Sequence, residues 1–454
     1  MVAALVAAAC TVGPNYARPP VSVPATYRGA DPAAPAATSF GDLKWWEVFG
    51  DPTLQSLLRT ALQQNVNVQV AAARILEAQA RLGISRADQL PEASGSASAI
   101  DQRTSNVTGF PSRTIRAIEL QGAASWDLDF WGRYRRATEA ARAQLLSTEW
   151  ARRAVLTTLV SQVADAYFGL RALDLQLDLS KQTLASRQES LRLTQVREQG
   201  GVTTLLDVRQ AEQLVYGASS EIASLEREIE QQENYLSVLL GNNPGPIARG
   251  ASLTDQPQPR SVPAGLPSTL LERRPDVQQA EDDLIAANAQ IGVARAAYFP
   301  SIALTGSAGV ESSALSTLVS GPAGIWTAAA SLAQPIFTAG RTRSQVALAE
   351  ARHEELVATY QQAIREAFRE VSDALVGYRK SREFREQQAL LLTAARDARR
   401  LSDVRYQGGA TSYLEVLDAD TRLFNAQLGL ADARLRELTS MVEIYRALGG
   451  GWQQ

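Results

Sequence analysis

Arg192-Leu193-Thr194-Gln195-Val196-Arg197-Glu198-Gln199-Gly200-Gly201-Val202-Thr203-Thr204-Leu205-Leu206-Asp207 is one of two versions of the same stretch in this chain. The other lies 208 residues on: Arg400-Leu401-Ser402-Asp403-Val404-Arg405-Tyr406-Gln407-Gly408-Gly409-Ala410-Thr411-Ser412-Tyr413-Leu414-Glu415. Each reads as a long helix ending, a Gly-Gly turn, and a new helix starting. Glycine accepts the left-handed conformation that ends helices, which is expected here at Gly200 and Gly408. Ser412 with Glu415 has the spacing of a capping box, and Thr204 with Asp207 repeats it with a shorter acid. Each stretch is therefore the tip of a helical hairpin, at 199–204 and at 407–412.

The likeness extends beyond the tips. Gly132-Arg133-Tyr134-Arg135 matches Gly340-Arg341-Thr342-Arg343, while Gly83, Arg86 and Pro91 match Gly292, Arg295 and Pro300 at a spacing of 209. The period is far longer than a solenoid unit and points to two structurally equivalent halves. The expected division is a first repeat at 65–240, a linker at 241–274, a second repeat at 275–448 and a tail at 449–454, preceded by an anchoring segment at 10–64.

Composition narrows the function. A net charge of −3 and a pI near 5.6 give no electrostatic case for nucleic acid. His353 is the only histidine, which excludes a Ser-His-Asp triad and a His-rich metal site. No glycine-rich phosphate loop is present, so no cofactor is expected and the chain does not read as an enzyme. No apolar run approaches the roughly 18 residues of a transmembrane helix. Val2 to Ala9 is apolar and runs directly into Cys10, the only cysteine. Without a basic n-region, residues 1–9 read as the remnant of a signal peptide, and Ala7-Ala8-Ala9-Cys10 resembles a lipobox, so Cys10 is expected to carry lipid.

Two periodicities share the rest. After Pro91, Ala93, Gly95, Ala97 and Ala99 alternate with serines, and Ile118, Leu120, Gly122, Ala124, Trp126 and Leu128 alternate with mostly polar residues. The second half repeats the pattern around Ile302–Val310 and Trp326–Leu332. One apolar and one polar face over about ten residues fits membrane β-strands. They are expected at about 92–103, 114–130, 300–311 and 325–337. Aromatics crowd the strand ends: Phe130, Trp131, Tyr298, Phe299 and Phe337. Two long helices follow. In the first, from about Arg135 to Glu198, Leu156, Leu159, Val163, Ala166, Leu170, Leu173 and Leu177 step 3-4-3-4 as a coiled-coil seam. Its length is roughly 95 Å at the helical rise. The shorter helices Asn65–Gln89 with Leu205–Leu240, and Pro275–Tyr298 with Tyr413–Leu448, match each long helix when stacked end to end.

Several motifs occur in order along nearly the whole chain: Cys10-Thr11-Val12-Gly13-Pro14-Asn15-Tyr16, Trp45-Trp46 with Asp51-Pro52, and Trp126-Asp127-Leu128-Asp129-Phe130-Trp131-Gly132-Arg133. Glu272-Arg273-Arg274-Pro275-Asp276-Val277, Gln334-Pro335-Ile336-Phe337 and Tyr413-Leu414-Glu415-Val416-Leu417-Asp418-Ala419 complete the set. Together they resemble the TolC-like outer membrane factors, most of all the lipidated OprM/NodT branch. The resemblance implies an α+β membrane protein. It would be a homotrimer whose twelve-stranded transmembrane β-barrel, four strands per chain, continues into a long α-helical periplasmic barrel. It implies drug efflux as the outer-membrane channel of a tripartite system, with outer-membrane lipid around the barrel. The implied partners are a periplasmic adaptor (membrane fusion protein) and an inner-membrane pump of RND type.

Matched by motif, Leu414 and Asp418, with Tyr406 nearby, would form the periplasmic gate. Where relatives often carry arginine three positions after that aspartate, this chain has Thr421. Arg197, Gly200, Gly201, Thr203, Arg405, Gly408, Gly409 and Thr411 would meet the adaptor at the tips. The alternatives are the outer-membrane channel of a type I protein secretion system, and a periplasmic coiled-coil adaptor or scaffold. Two tandem hairpins and four alternating strands speak against the scaffold. Four strands also fail to close a barrel, so a monomer is excluded on physical grounds, while the number three rests on the resemblance.

Overall fold

The computed structural model describes residues 11–30, 39–105, 107, 111–257 and 262–453. Cys10 and residues 1–9 lie outside them. The chain is mostly helical. After α1 (Trp45–Val48) and α2 (Pro52–Gln64) come α3 (Val66–Ala87), strands β1 (Glu92–Arg103) and β2 (Thr114–Leu128), and α4 (Arg133–Gln199). α5 (Leu205–Leu239), α6 (Pro267–Arg273), α7 (Pro275–Ala296), β3 (Ser301–Ser312), β4 (Gly324–Ala333), α8 (Arg341–Gln407) and α9 (Tyr413–Ala447) follow. α4 and α8 have 67 residues each, α5 and α9 have 35, and α3 and α7 have 22. Among the described residues, no helix is long and apolar enough to cross a membrane.

The four strands form one antiparallel sheet in the order β1-β2-β3-β4. Its register turns the sequence alternation into two continuous faces. Ala97 pairs with Leu120, Leu120 with Val310, and Val310 with Gly324; Gly95, Gly122, Ala308 and Trp326 form the next row. On the other face Ser98, Glu119 and Glu311 line up, and Gln121 donates to the Ser307 hydroxyl at 2.8 Å. A one-residue slip would exchange the faces, so the pattern itself holds the register. The apolar band runs from Leu128 to Ile118, and the exposed pair Asp101–Arg116 (3.0 Å) ends it. Eleven residues of tilted strand make this band roughly 25 Å tall.

Two strands end earlier than the alternation suggests. β2 stops at Leu128 because Asp129 leaves the ladder and accepts from the Tyr134 and Arg135 amides at 3.2 and 2.9 Å, capping the start of α4. β4 stops at Ala333, since Pro335 has no N–H to continue the pairing.

The contacts divide the chain into two compact units that do not follow the two halves of the sequence. One gathers the described residues up to Pro20 with Arg74–Glu149 and Gln279–Gln361; the other gathers Val21–Ala73, Trp150–Gln278 and the described part of Gln362–Gln454. Each unit gathers segments from both halves, so packing does not follow sequence order. In the second unit the shorter helices meet end to end. Asn65, before α3, donates its amide to the Leu239 carbonyl at the end of α5 (2.9 Å), and Arg274, before α7, reaches the Ala447 carbonyl at the end of α9 (3.1 Å). Gly241 has φ +79°, and a Cβ there would overlap the Gln64 carbonyl, so only glycine fits this joint. The same unit buries Asp51 under donors from Tyr167 (2.7 Å), Thr53 (2.8 Å), Ala251 and Gln256 (both 3.0 Å). Burial pushes its carboxyl upward, but these hydrogen bonds outweigh it and hold the group below the usual carboxylate range.

In the first unit an extended strap, 11–18, crosses α4 and α7. Val12 donates to the Trp131 carbonyl (3.0 Å), Asn15 accepts from Arg136 (2.8 Å), and Asn288 donates to the Pro14 carbonyl (3.0 Å). Glu281, almost fully buried, takes both Arg18 nitrogens at 2.6 and 2.7 Å and the Tyr16 hydroxyl at 3.1 Å. Burial and the neighbouring Glu281 raise the Tyr16 phenol well above its ordinary pKa. Glu281→Ala removes four bonds at once, three of them to the strap and one from the Tyr360 hydroxyl at 3.4 Å. Expected cost is about 1–3 kcal/mol, discounted because Arg18 is half exposed. Limited chymotrypsin digestion should then cut after Tyr16 several-fold faster than in the parent; equal rates would show that the backbone contacts alone hold the strap.

Candidate functional site

Both hairpin tips lie in the second unit, and each is closed by the same backbone device. At the first, Val202 donates to the Arg197 carbonyl and Gly201 to that of Glu198, both at 2.9 Å. At the second, Ala410 donates to Arg405 (2.8 Å) and Gly409 to Tyr406 (3.0 Å). This is the Schellman pair of bonds, and it demands one left-handed residue. That residue is the second glycine of each pair: Gly201 has φ +70° and Gly409 +71°, whereas Gly200 and Gly408 are not left-handed. The assignment read from sequence is thereby corrected. Which glycine turns depends on where the preceding helix stops, and α4 and α8 each run to the residue before the pair.

The caps differ as well. Thr204 and Asp207 form a reciprocal capping box at the start of α5. Ser412 makes no side-chain cap for α9. The Thr411 hydroxyl donates to Glu415 instead, and Arg405 stands 3.7 Å from the same carboxylate. Glu415 is thus drawn back toward the turn and is not available to Ser412. Thr203 reaches the Thr194 carbonyl at 3.5 Å, and Arg197 lies over the Tyr406 ring at 5.2 Å.

The three residues matched to a gate do not share one face. Leu414 is 58 % exposed, and Asp418 lies next to it on the same face of α9. Tyr406 is turned inward. It packs on Tyr413 (ring centroids 5.2 Å) beside Ala211, Val416 and Leu417. Thr421 bonds only its own helix, through the Leu417 carbonyl at 2.9 Å. The arginine in this region is one position further on: Arg422 donates to Asp418 at 2.7 Å, and the carboxylate holds the guanidinium above its ordinary pKa.

Beneath the exposed face of α9 lies an ionic cluster that the sequence reading did not single out. Asp420 accepts from Arg187 of α4 at 2.9 Å and from Arg399 of α8 at 3.5 Å. Arg187 also donates to the Leu214 carbonyl of α5 (3.2 Å) and stacks on Phe424 at 5.1 Å. Four helices from both hairpins are joined by one guanidinium whose side chain is 7 % exposed and one carboxylate at 16 %. A hydroxyl contact between Ser190 and Tyr413, 2.7 Å, adds a second tie. The available signal was an acid on the apolar stripe Tyr413, Val416, Leu417, Phe424, where a charge requires a buried partner. The elsewhere notable His353 is half-buried on α8, and among the described residues no cluster of metal-ligand type occurs.

Residues 57–242 and 266–450 match the family described as outer membrane efflux protein. The antibiotic efflux pump outer membrane protein ArpC of Pseudomonas putida is 38% identical over 460 residues, covering 100% of this chain and 95% of the relative. The cation efflux system protein CusC of Escherichia coli is 36% identical over 453 residues, 99% of this chain and 98% of the relative. The crystal structure of the open state of the Neisseria gonorrhoeae MtrE outer membrane channel superposes with a TM-score of 0.89 at 31% identity, covering 98% of this chain and 99% of that one.

Proposed function

The chain belongs to the outer membrane efflux protein family, and from that membership we propose a homotrimeric passive conduit that carries small molecules out through the outer membrane. It is the outer-membrane channel of a tripartite efflux system. One observation supports the oligomer above all. Every residue of β1 is exposed, and β1 and β4 are the outermost strands of a sheet with an unbroken apolar face. In lipid such edges would leave backbone groups unsatisfied at several kcal/mol each, so identical chains must close the sheet into a barrel. Twelve strands from three chains is the closure we propose, with the apolar rows toward lipid and the Ser98–Glu119–Glu311 face lining the lumen. The two family matches begin 209 residues apart and end 208 apart, which supports the internal duplication.

The helical hairpins extend into the periplasm in this reading. Leu414 and Asp418 of three chains narrow the tip, where a ring of carboxylates favours cations. The Gly-Gly tips meet a periplasmic adaptor, beyond which stands an inner-membrane pump of RND type. Cys10 carries the lipid that holds the strap to the membrane. Relatives named for antibiotic and cation efflux support small molecules as cargo rather than protein.

Native mass spectrometry in detergent should give three protomers, each 49.0 kDa before processing, and the same spectra read the lipid on Cys10. Leu414→Ala combined with Asp418→Ala should raise single-channel conductance several-fold in planar bilayers and weaken cation preference. A stable conducting monomer would overturn the strand assignment; unchanged conductance and selectivity would place the constriction elsewhere.

A further inference from the structure

In the first unit, α3, α4, α7 and α8 surround a groove of about 870 Å³. Its floor is made of small residues, among them the buried Ala78, Ala140, Ala286 and Ala287. Arg74, Arg81 and Arg352 stand around it, with Glu77 and Asp283 as its only acids. Both acids are engaged: Glu77 with Arg81 at 2.5 Å, and Asp283 with Ser147 and Gln144 at 2.6 and 3.2 Å. Arg352 is paired with Glu355, which does not line the groove, and Arg74 has no ion-pair partner among the described residues. The surplus charge facing the groove is positive. A concave surface with an apolar floor and charged groups around it can hold a small organic ligand that has both an apolar and a charged part.

The side of the wall on which this groove lies follows from the strap. On α7 the groove is lined by Asp283, Ala286, Ala287 and Gln290, whereas the strap is held by Glu281 and Asn288. At 100° per residue the two sets lie on opposite sides of the helix, roughly 160° apart. The strap leads back to Cys10, so it runs over the outer surface of the conduit, and the groove opens to the lumen. This placement rests on the channel reading given above.

We propose that the groove is a luminal binding station for amphipathic organic anions, with the alanine floor taking the apolar part and Arg74 and Arg352 the acid group. Guanidinium suits this role because its planar donors meet carboxylate or sulfonate in pairs. Three such stations per trimer would retain an anion briefly on its way out.

The test uses the Leu414→Ala/Asp418→Ala trimer in planar bilayers, with 1-naphthalenesulfonate added on the side opposite the helical tips. Discrete current blocks are expected with the anion and not with neutral 1-naphthol or a naphthylmethylammonium cation. Adding Arg74→Gln and Arg352→Gln should shorten the blocks at least tenfold, and lysine at both positions should restore part of their length. Equal blocking by the three probes, or blocks unchanged in the glutamine variant, would overturn the station while leaving the channel intact. Absence of any conductance from the reconstituted trimer would overturn the channel reading and the station together.

Discussion

Replacing Asp420 by alanine should loosen the packing of the two helical hairpins near their tips. Arg187 would lose the carboxylate that neutralises it inside the helix bundle and would keep only the Leu214 carbonyl and the Phe424 ring. Breaking a buried ion pair by removing one partner costs about 3–5 kcal/mol. Arg399 would keep Asp403 at 3.2 Å, so most of the loss falls on Arg187 and on the tie between the two hairpins. The expected readouts are faster amide exchange through the tip-proximal turns of α5 and α9, and a several-fold rise in single-channel conductance. Asp420→Asn keeps the shape and one acceptor and should fall between. Arg422→Ala is the comparison: its pair with Asp418 is exposed and screened by solvent, so exchange should not change there. If Asp420→Ala leaves both exchange and conductance at parent values, the cluster does not hold the tip together.

Export should respond as strongly to the second glycine of each tip. Gly201→Val together with Gly409→Val forces a β-branched residue into φ near +70°, where any Cβ meets the following carbonyl at about 1–2 kcal/mol and branching adds to it. The turn would have to unwind, displacing Val202, Leu205 and Leu206, which are exposed apolar residues at the first tip. Pump-dependent resistance to an exported compound should fall by at least an order of magnitude, while heat-modifiable trimers persist in outer-membrane fractions. Gly200→Ala with Gly408→Ala should be near neutral, because the nearest atoms to an added Cβ lie at 3.5 and 3.4 Å and neither residue is left-handed. Normal export by the double valine variant would remove the tips from the docking surface.

The tips also show how far a one-dimensional reading reaches. The turn, the helix before it and the helix after it were visible at 192–207 and 400–415, because a helix end is a local event written in glycine and hydroxyl residues. Which glycine turns, and whether Ser412 or Thr411 engages Glu415, was not visible. Those choices depend on differences of one residue in where a helix stops and which side chain reaches a carboxylate first. The residues matched to a gate divide similarly. The motif offered Leu414, Asp418 and Tyr406 as a group; the fold exposes the first two and turns Tyr406 into the packing with Tyr413. The Arg422 partner of Asp418 was legible in principle from its four-residue spacing.

By itself the sequence determined the periodic patterns and the places where the long helices turn. The 3-4 steps of the long helices and the twofold alternation of the strands follow from side-chain geometry within one element, and the near 208-residue spacing of the two halves is read by matching residue against residue. The tertiary structure alone decided the pairings between distant positions: Arg187 with Asp420, 233 residues apart, and Tyr16 with Glu281, 265 apart. It also decided that each compact unit draws on both halves of the sequence and that three arginines and two acids meet at one groove. A buried charge accepts any acid that the fold delivers at hydrogen-bond distance, and nothing local to Arg187 or Glu281 specifies which one that is.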